Sequence, residues 1–148
     1  VCMSIKVSFK KLNEKAVAPM RASAQAAGCD LYACIDKDEW VTCSKTVKIP
    51  TGIAVEIPEG YAGFIFARSG LATKEGLRPA NCVGVVDSDY RGEVIVAIHN
   101  DSVGDKRIKP GERIAQMVIM PYLPVEYVET NELSDTDRGA GGFGSTGK

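Results

Sequence analysis

The chain has 148 residues, a net charge of −1, and 45% hydrophobic and 25% charged side chains, which is the make-up of one ordinary globular domain and not of two. No apolar run approaches the roughly 18 residues that cross a bilayer, no long apolar secretory segment opens the sequence, and no dense Lys/Arg cluster forms a basic face. Neither a membrane nor a nucleic acid is therefore an expected partner, and an anionic ligand must be held by local groups rather than drawn in by a global field.

Short apolar alternations follow one another along the chain. Ile5, Val7 and Phe9 alternate first. Val47 and Ile49 do so before the turn signal Pro50-Thr51-Gly52, and Ile53, Val55 and Ile57 before Pro58-Glu59-Gly60. Phe64 and Phe66 come next. One short helix is expected after them, with Ser69 as its cap, Leu71 to Glu75 as its body and Gly76 as its stop. Gly84-Val85-Val86 then runs into a polar segment ending at Glu93, and Val94, Val96 and Ile98 run out of it, the pattern of a β-hairpin. Lys109-Pro110-Gly111 precedes the last apolar stretch, Ile114 through Met120. Period-two runs with Pro/Gly turns about every ten residues specify an all-β sandwich or barrel.

The chemistry-bearing residues narrow the choices. The five cysteines are Cys2, Cys29, Cys34, Cys43 and Cys82, with no CxxC pair and a single histidine, so a zinc site is not expected. Scattered free thiols point to a reducing compartment, and the expected location is the cytoplasm, with the nucleus as the alternative in a eukaryote. Asn100-Asp101-Ser102 spells a glycosylation sequon that a cytosolic protein does not use. His99 alone, at the end of a strand pattern, makes a Ser or Cys triad a poor reading and leaves carboxylates as candidate bases. Gly142 to Lys148 matches GxxxxGK, but a phosphate-binding loop needs a strand before it, a helix after it and a hydroxyl residue following the lysine. Two segments remain. Asp87-Ser88-Asp89-Tyr90-Arg91-Gly92 is either an ordinary polar turn or a carboxylate-bearing site. Arg138 to Lys148, RGAGGFGSTGK, has five glycines and one aromatic. It is either a disordered terminus or an arm that orders on a phosphate ligand.

Five segments in order resemble the motifs of the trimeric dUTP pyrophosphatase (dUTPase) family. They are Ala27-Gly28-Cys29-Asp30-Leu31, Arg68-Ser69-Gly70-Leu71-Ala72, Gly84 through Gly92, Arg113-Ile114-Ala115-Gln116, and Arg138 through Gly147. Each alone is weak; all five at sensible spacing are specific. Cys29, and Ala67 before Arg-Ser-Gly, depart from the usual residues, and neither position supplies a catalytic group.

The resemblance implies a jelly-roll-type β-barrel over residues 1–137, a flexible glycine-rich arm over 138–148, and a homotrimer whose three active sites are shared between subunits. It implies hydrolysis of dUTP to dUMP and pyrophosphate with Mg²⁺. Asp87 matches the base that deprotonates the attacking water, and Tyr90 the residue that packs beneath the deoxyribose and leaves no room for a 2′-hydroxyl. Asn81 and the backbone of Gly84 through Val86 match the readers of the uracil edge. Arg68, Ser69, Gly70 and Gln116 match phosphate contacts, and Arg138, Gly144, Ser145 and Thr146 the arm's phosphate clamp, with Phe143 stacking on the base. Asp30 matches an aspartate near the metal, acting through water, while the phosphates themselves hold the Mg²⁺. Arg113 reads as a structural ion-pair partner. The related dCTP deaminases share the fold but differ around the hairpin segment. An inactive binding module would be expected to lack Asp87 or the arm, and a generic jelly-roll binding protein with no nucleotide chemistry is the third alternative.

Overall fold

The computed structural model describes residues 4–144. Eleven strands and one helical turn follow one another: β1 (Ser8–Lys11), β2 (Met20–Arg21), β3 (Cys29–Tyr32), β4 (Glu39–Val41), β5 (Thr46–Glu56), β6 (Tyr61–Phe66), α1 (Leu71–Glu75), β7 (Leu77–Pro79), β8 (Gly84–Val86), β9 (Glu93–Asn100), β10 (Lys106–Ile108) and β11 (Arg113–Pro121). All pairings are antiparallel. A four-stranded sheet runs β1-β5-β9-β7, a five-stranded sheet runs β2-β3-β11-β6-β8, and β10 pairs with β4 alone. The all-β expectation is met, with the strands divided among three sheets rather than joined in one continuous barrel.

Alternation explains the core. Val94, Val96 and Ile98 of β9 are buried while Ile95 between them is exposed, as a period of two requires. Leu31, Ile49, Ile53, Ile65, Ile108 and Ile114, drawn from all three sheets, join them in a single apolar cluster. Burying aliphatic side chains of this size stabilises the fold by about 1.5–3 kcal/mol each.

Turn chemistry sets where strands stop. Tyr61 N–H donates to Pro58 O with Gly60 at φ +85°, and Glu112 N–H donates to Lys109 O with Gly111 at φ +75°. Both are Pro-x/Gly turns in which only glycine takes the left-handed position at no steric cost. Pro50-Thr51-Gly52 behaves otherwise. It does not end a strand; β5 runs through it with a register shift against β9 between Pro50 and Ala54. Gly52 at φ +69° absorbs the irregularity as a bulge.

Two further expectations need correction. The segment from Gly84 to Ile98 is not a hairpin: β8 pairs with β6 in one sheet, whereas β9 pairs with β5 and β7 in the other. Six residues lie between the strands, too many for a tight two-residue turn, and they carry the chain from sheet to sheet. The helical turn spans Leu71–Glu75 and stops at Gly76 (φ 69°) as expected, but Ser69 does not cap it. Gly70 occupies that position with no side-chain cap bond, and the Ser69 carbonyl accepts from Thr73 Oγ1. Beyond Pro121 the chain forms no further strand through residue 144, and it is exposed apart from half-buried Gly141 and Gly142.

Candidate active site

The first cluster forms where the chain crosses from β8 to β9. Val86 pairs with Gly63 of β6, so β8 is anchored and Asp87 emerges at its free end. Asp87 is exposed, and among the described residues its carboxylate makes no hydrogen bond; its carbonyl accepts the Tyr90 N–H at 3.2 Å, closing a turn. The Tyr90 hydroxyl reaches on to donate to Glu93 O at 2.8 Å. The Asp87 and Tyr90 positions are thereby tied together by one turn. Asn81 arrives on the loop after β7, where Ala80 N–H donates to Ala97 O and Cys82 adopts φ 63°. Its amide comes so close to Gly84 that a Cβ there would lie 3.2 Å from Asn81 Nδ2. Asn81, Gly84, Val86, Asp87 and Tyr90 line one cleft of about 240 Å³. Asp87 also borders a wider depression of about 680 Å³ walled by Phe64, Arg91 and Tyr122.

The second cluster surrounds Asp30. In the ladder Gln116 stands opposite Asp30 on one side and Phe66 on the other, so β3 and the end of β6 are fixed around it. Asp30 is buried, and its carboxylate accepts from Arg68 Nε at 2.9 Å and from Arg113 Nη1 at 3.4 Å. Gln116 Nε2 donates to Ala67 O at 3.0 Å, and its Oε1 presses against Gly28, where a Cβ would lie 2.6 Å away. Gln116 thus braces the chain just before Arg68. Ser69 and Gly70 are exposed, with the backbone donors of the turn start uncapped by any side chain. Arg68 and Gly70 border a shallow depression with Lys74 and Arg113. Burial pushes the Cys29 thiol, beside Asp30, up from its usual pKa and so disfavours its thiolate.

The two clusters do not meet within the chain. Val86 lies opposite Gly63, and Gln116 opposite Phe66, so roughly 10 Å of strand rise separates their anchors on β6, with Arg68 two residues further on. The arm joins neither: Arg138 Nε donates to Gly141 O at 2.7 Å, and Phe143 and Gly144 are exposed. Ser145 and Thr146 lie outside the described residues. Among the described residues no three His, Cys, Asp or Glu side chains gather as a metal cage. Sequence reasoning missed three features. Arg113 is the ion-pair partner expected of it, but its grouping with Asp30 and Arg68 has no local signal, because strand register creates it. Glu93 receives Gly52 N–H on Oε1 at 2.8 Å and Tyr90 on its carbonyl. Gly28 and Gly92 were legible only as motif glycines, not as points of close approach.

A base-sized cleft ending in a carboxylate, beside a separate guanidinium-lined surface on an all-β scaffold, is the equipment of a nucleotide-handling protein. The family described as dUTPase matches residues 14–147, and the chain belongs to that family. The deoxyuridine 5′-triphosphate nucleotidohydrolase of Desulfitobacterium hafniense (strain DSM 10664 / DCB-2) is 46% identical over 146 residues, covering 98% of this chain and 97% of its own. That of Hydrogenobaculum sp. (strain Y04AAS1) is 50% identical over 143 residues, covering 97% and 99%. Among solved structures, the Staphylococcus bacteriophage 80alpha dUTPase with dUPNHPP superposes with a TM-score of 0.87 at 30% identity, over 98% of this chain and 100% of that one. A mutant dUTPase from phage phi11 of S. aureus, described with a structural Mg(II) ion, gives 0.78 at 25% identity over 86% and 98%.

Proposed function

We infer that this chain hydrolyses dUTP to dUMP and pyrophosphate, which supplies dUMP and keeps uracil out of DNA. Membership of the dUTPase family supports the reaction. The observation that carries its assignment to residues is the cleft shared by Asn81, Gly84, Val86, Asp87 and Tyr90. Uracil enters against Gly84–Val86, where backbone donors and acceptors together with Asn81 fix hydrogen-bond polarity. Cytosine presents the opposite polarity and leaves buried groups unpaired, an error worth up to about 10⁴-fold in rate. Thymine is refused by shape at carbon 5. Tyr90 forms the floor under the deoxyribose.

Asp87 takes a proton from a water as that water's oxygen attacks the α-phosphorus. The P–O bond to the β-phosphate breaks, and pyrophosphate leaves with the electron pair. An exposed carboxylate with no competing hydrogen bond among the described residues is free to do this. Arg68, Ser69, Gly70 and Gln116 act on the triphosphate side: uncapped N–H groups and a guanidinium suit an anion. In this reading they come from one subunit and the Asp87 cleft from another, since the two clusters stand apart on β6. The assembly is a homotrimer with shared sites. Leu123, Val125, Tyr127, Val128 and Leu133, apolar yet exposed beyond β11, support burial against neighbouring chains. The arm then covers the bound nucleotide, Phe143 on the base, and Arg138, Gly144, Ser145 and Thr146 on the phosphates.

The donor set suits a magnesium ion that brings its own ligands rather than one held in a protein cage. Asp30, whose two oxygens already accept from Arg68 and Arg113, would help to hold it only through water. When bound, the ion would neutralise charge on the departing pyrophosphate. Free Cys29, Cys34, Cys43 and Cys82 support a cytoplasmic setting. Purified protein mixed with dUTP and Mg²⁺ should release pyrophosphate. Release of ammonia from dCTP instead would assign the chain to the deaminase reaction.

A further inference from the structure

Gly92 is a glycine for a reason that its own backbone does not supply. Its φ lies outside the left-handed region, so an alanine would fit the main chain there. The obstacle is Tyr90. A Cβ on residue 92 would lie 2.5 Å from the Tyr90 hydroxyl oxygen, 2.7 Å from Cζ and 3.0 Å from Cε2. The ring folds back so that its edge rests on the bare Cα of Gly92, while the hydroxyl donates to the next carbonyl, Glu93 O, at 2.8 Å. The Tyr90 N–H to Asp87 O bond holds the other end of the residue.

We infer that Gly92 is a positioning residue for deoxyribose selectivity: its missing side chain is the seat that fixes the Tyr90 ring beneath the sugar. This rests on the reading of Tyr90 as the floor of the sugar site. Such a floor rejects a 2′-hydroxyl only if it cannot retreat, because the extra oxygen occupies one atom's width. Tyr90 is 45% exposed in the single chain, so packing within its own subunit does not restrain it from the outer side. What restrains it are the two contacts at residues 92 and 93. A Cβ at residue 92 would have to push the ring away by about 1 Å to reach ordinary carbon contact distance. The hydroxyl, the nearest atom, moves most and leaves Glu93 O. A ring without either restraint yields to ribose.

The test is kcat/KM for dUTP and for UTP in the parent, Tyr90→Ala, Gly92→Ala and the double variant, with melting temperatures for all four. Tyr90→Ala should lower the dUTP-to-UTP ratio by about 10- to 100-fold, the scale of a lost steric contact. Gly92→Ala should lower it at least about tenfold, and in the Tyr90→Ala background it should have no further effect, because it acts only through the ring. An unchanged ratio in Tyr90→Ala refutes the sugar-floor reading and this inference with it. A lowered ratio in Tyr90→Ala beside a parental ratio in Gly92→Ala leaves the floor standing and overturns the seat. If Gly92→Ala is too unstable to assay, the comparison of Tyr90→Ala with the double variant decides. Equal ratios and equal melting temperatures support the seat, and a further loss in the double variant overturns it.

Discussion

Arg68 donates to Asp30 through Nε, at 2.9 Å, so its two terminal Nη groups have no partner among the described residues. The carboxylate fixes the root of the guanidinium and leaves outward the fork that grips a phosphate in bidentate fashion. Under the proposed function Asp30 then orients a phosphate-binding guanidinium, and Arg113 on its second oxygen completes the ion-pair cluster.

Asp30→Asn should therefore weaken both the fold and phosphate binding. A buried hydrogen bond to a charged group contributes about 1.5–3 kcal/mol, and the amide keeps only one acceptor for two guanidinium groups. A lower melting temperature is expected, with KM for dUTP raised more than kcat is lowered. A parental KM would mean that Arg68 needs no anchor.

Asp87→Asn should nearly abolish turnover while leaving melting temperature and dUTP binding close to the parent. The side chain is exposed and unbonded among the described residues, so its loss costs little structure. The amide keeps its shape and cannot take the proton. Isothermal binding with dUpNHpp beside a pyrophosphate assay separates the two effects. Near-parental turnover would remove Asp87 from the reaction.

Nucleotide selectivity should follow the cleft walls: dUTP turned over well, UTP, dCTP and dTTP poorly. Initial rates for the four nucleotides at equal concentration give the order. Comparable kcat/KM for UTP would mean that the Tyr90 ring does not guard carbon 2′.

Deleting residues 138–148 should cripple catalysis and leave the melting temperature almost unchanged. Arg138 and Phe143 are exposed and Arg138 bonds only within the arm among the described residues, so the packed sheets should not depend on them. Phe143→Ala should cost less activity than the deletion, because the phosphate-binding groups remain. Normal turnover by the truncated chain would make the arm a bystander.

In solution the chain should sediment as a trimer. The proposed function draws the Asp87 cleft and the Arg68 surface from different copies, because the two line separate depressions of one chain. A stable monomer with full activity would overturn the shared-site arrangement.

Much of this was legible in the sequence, and the failures have a common origin. Alternation names the buried face of a strand, which is why Val94, Val96 and Ile98 were placed correctly. It does not name the neighbour. Gly84–Val86 and Glu93–Asn100 look like a hairpin because they are close in sequence, yet each pairs with a strand elsewhere. Ile5 and Phe9 alternate like core residues and are nonetheless about half exposed in the single chain. Pro50-Thr51-Gly52 has turn composition, but a long strand absorbs it through one glycine bulge. Site residues lying within one loop, such as Asp87 and Tyr90, were recognisable from motif and order. The Asp30–Arg68–Arg113 contact depends on β3, β6 and β11 meeting in one register, which no local pattern encodes.

The fully buried Asn100 carries a consequence for how the chain can be made. Its amide donates to Val41 O and Gly104 O, both at 2.8 Å, and its oxygen accepts from Ser102 N and Oγ. The same residue heads the acceptor triplet Asn-Asp-Ser. In a secretory host, oligosaccharide transfer acts on the nascent polypeptide before such a side chain is enclosed. A sugar on Nδ2 would take one of the two donors and could not be housed between β4 and β9. Export through that route would thus trap the chain unfolded, whereas bacterial expression without a leader presents no such hazard. Asn100→Gln would remove the acceptor but lengthen a side chain that has no spare room, so the choice of host matters more than repair of the triplet.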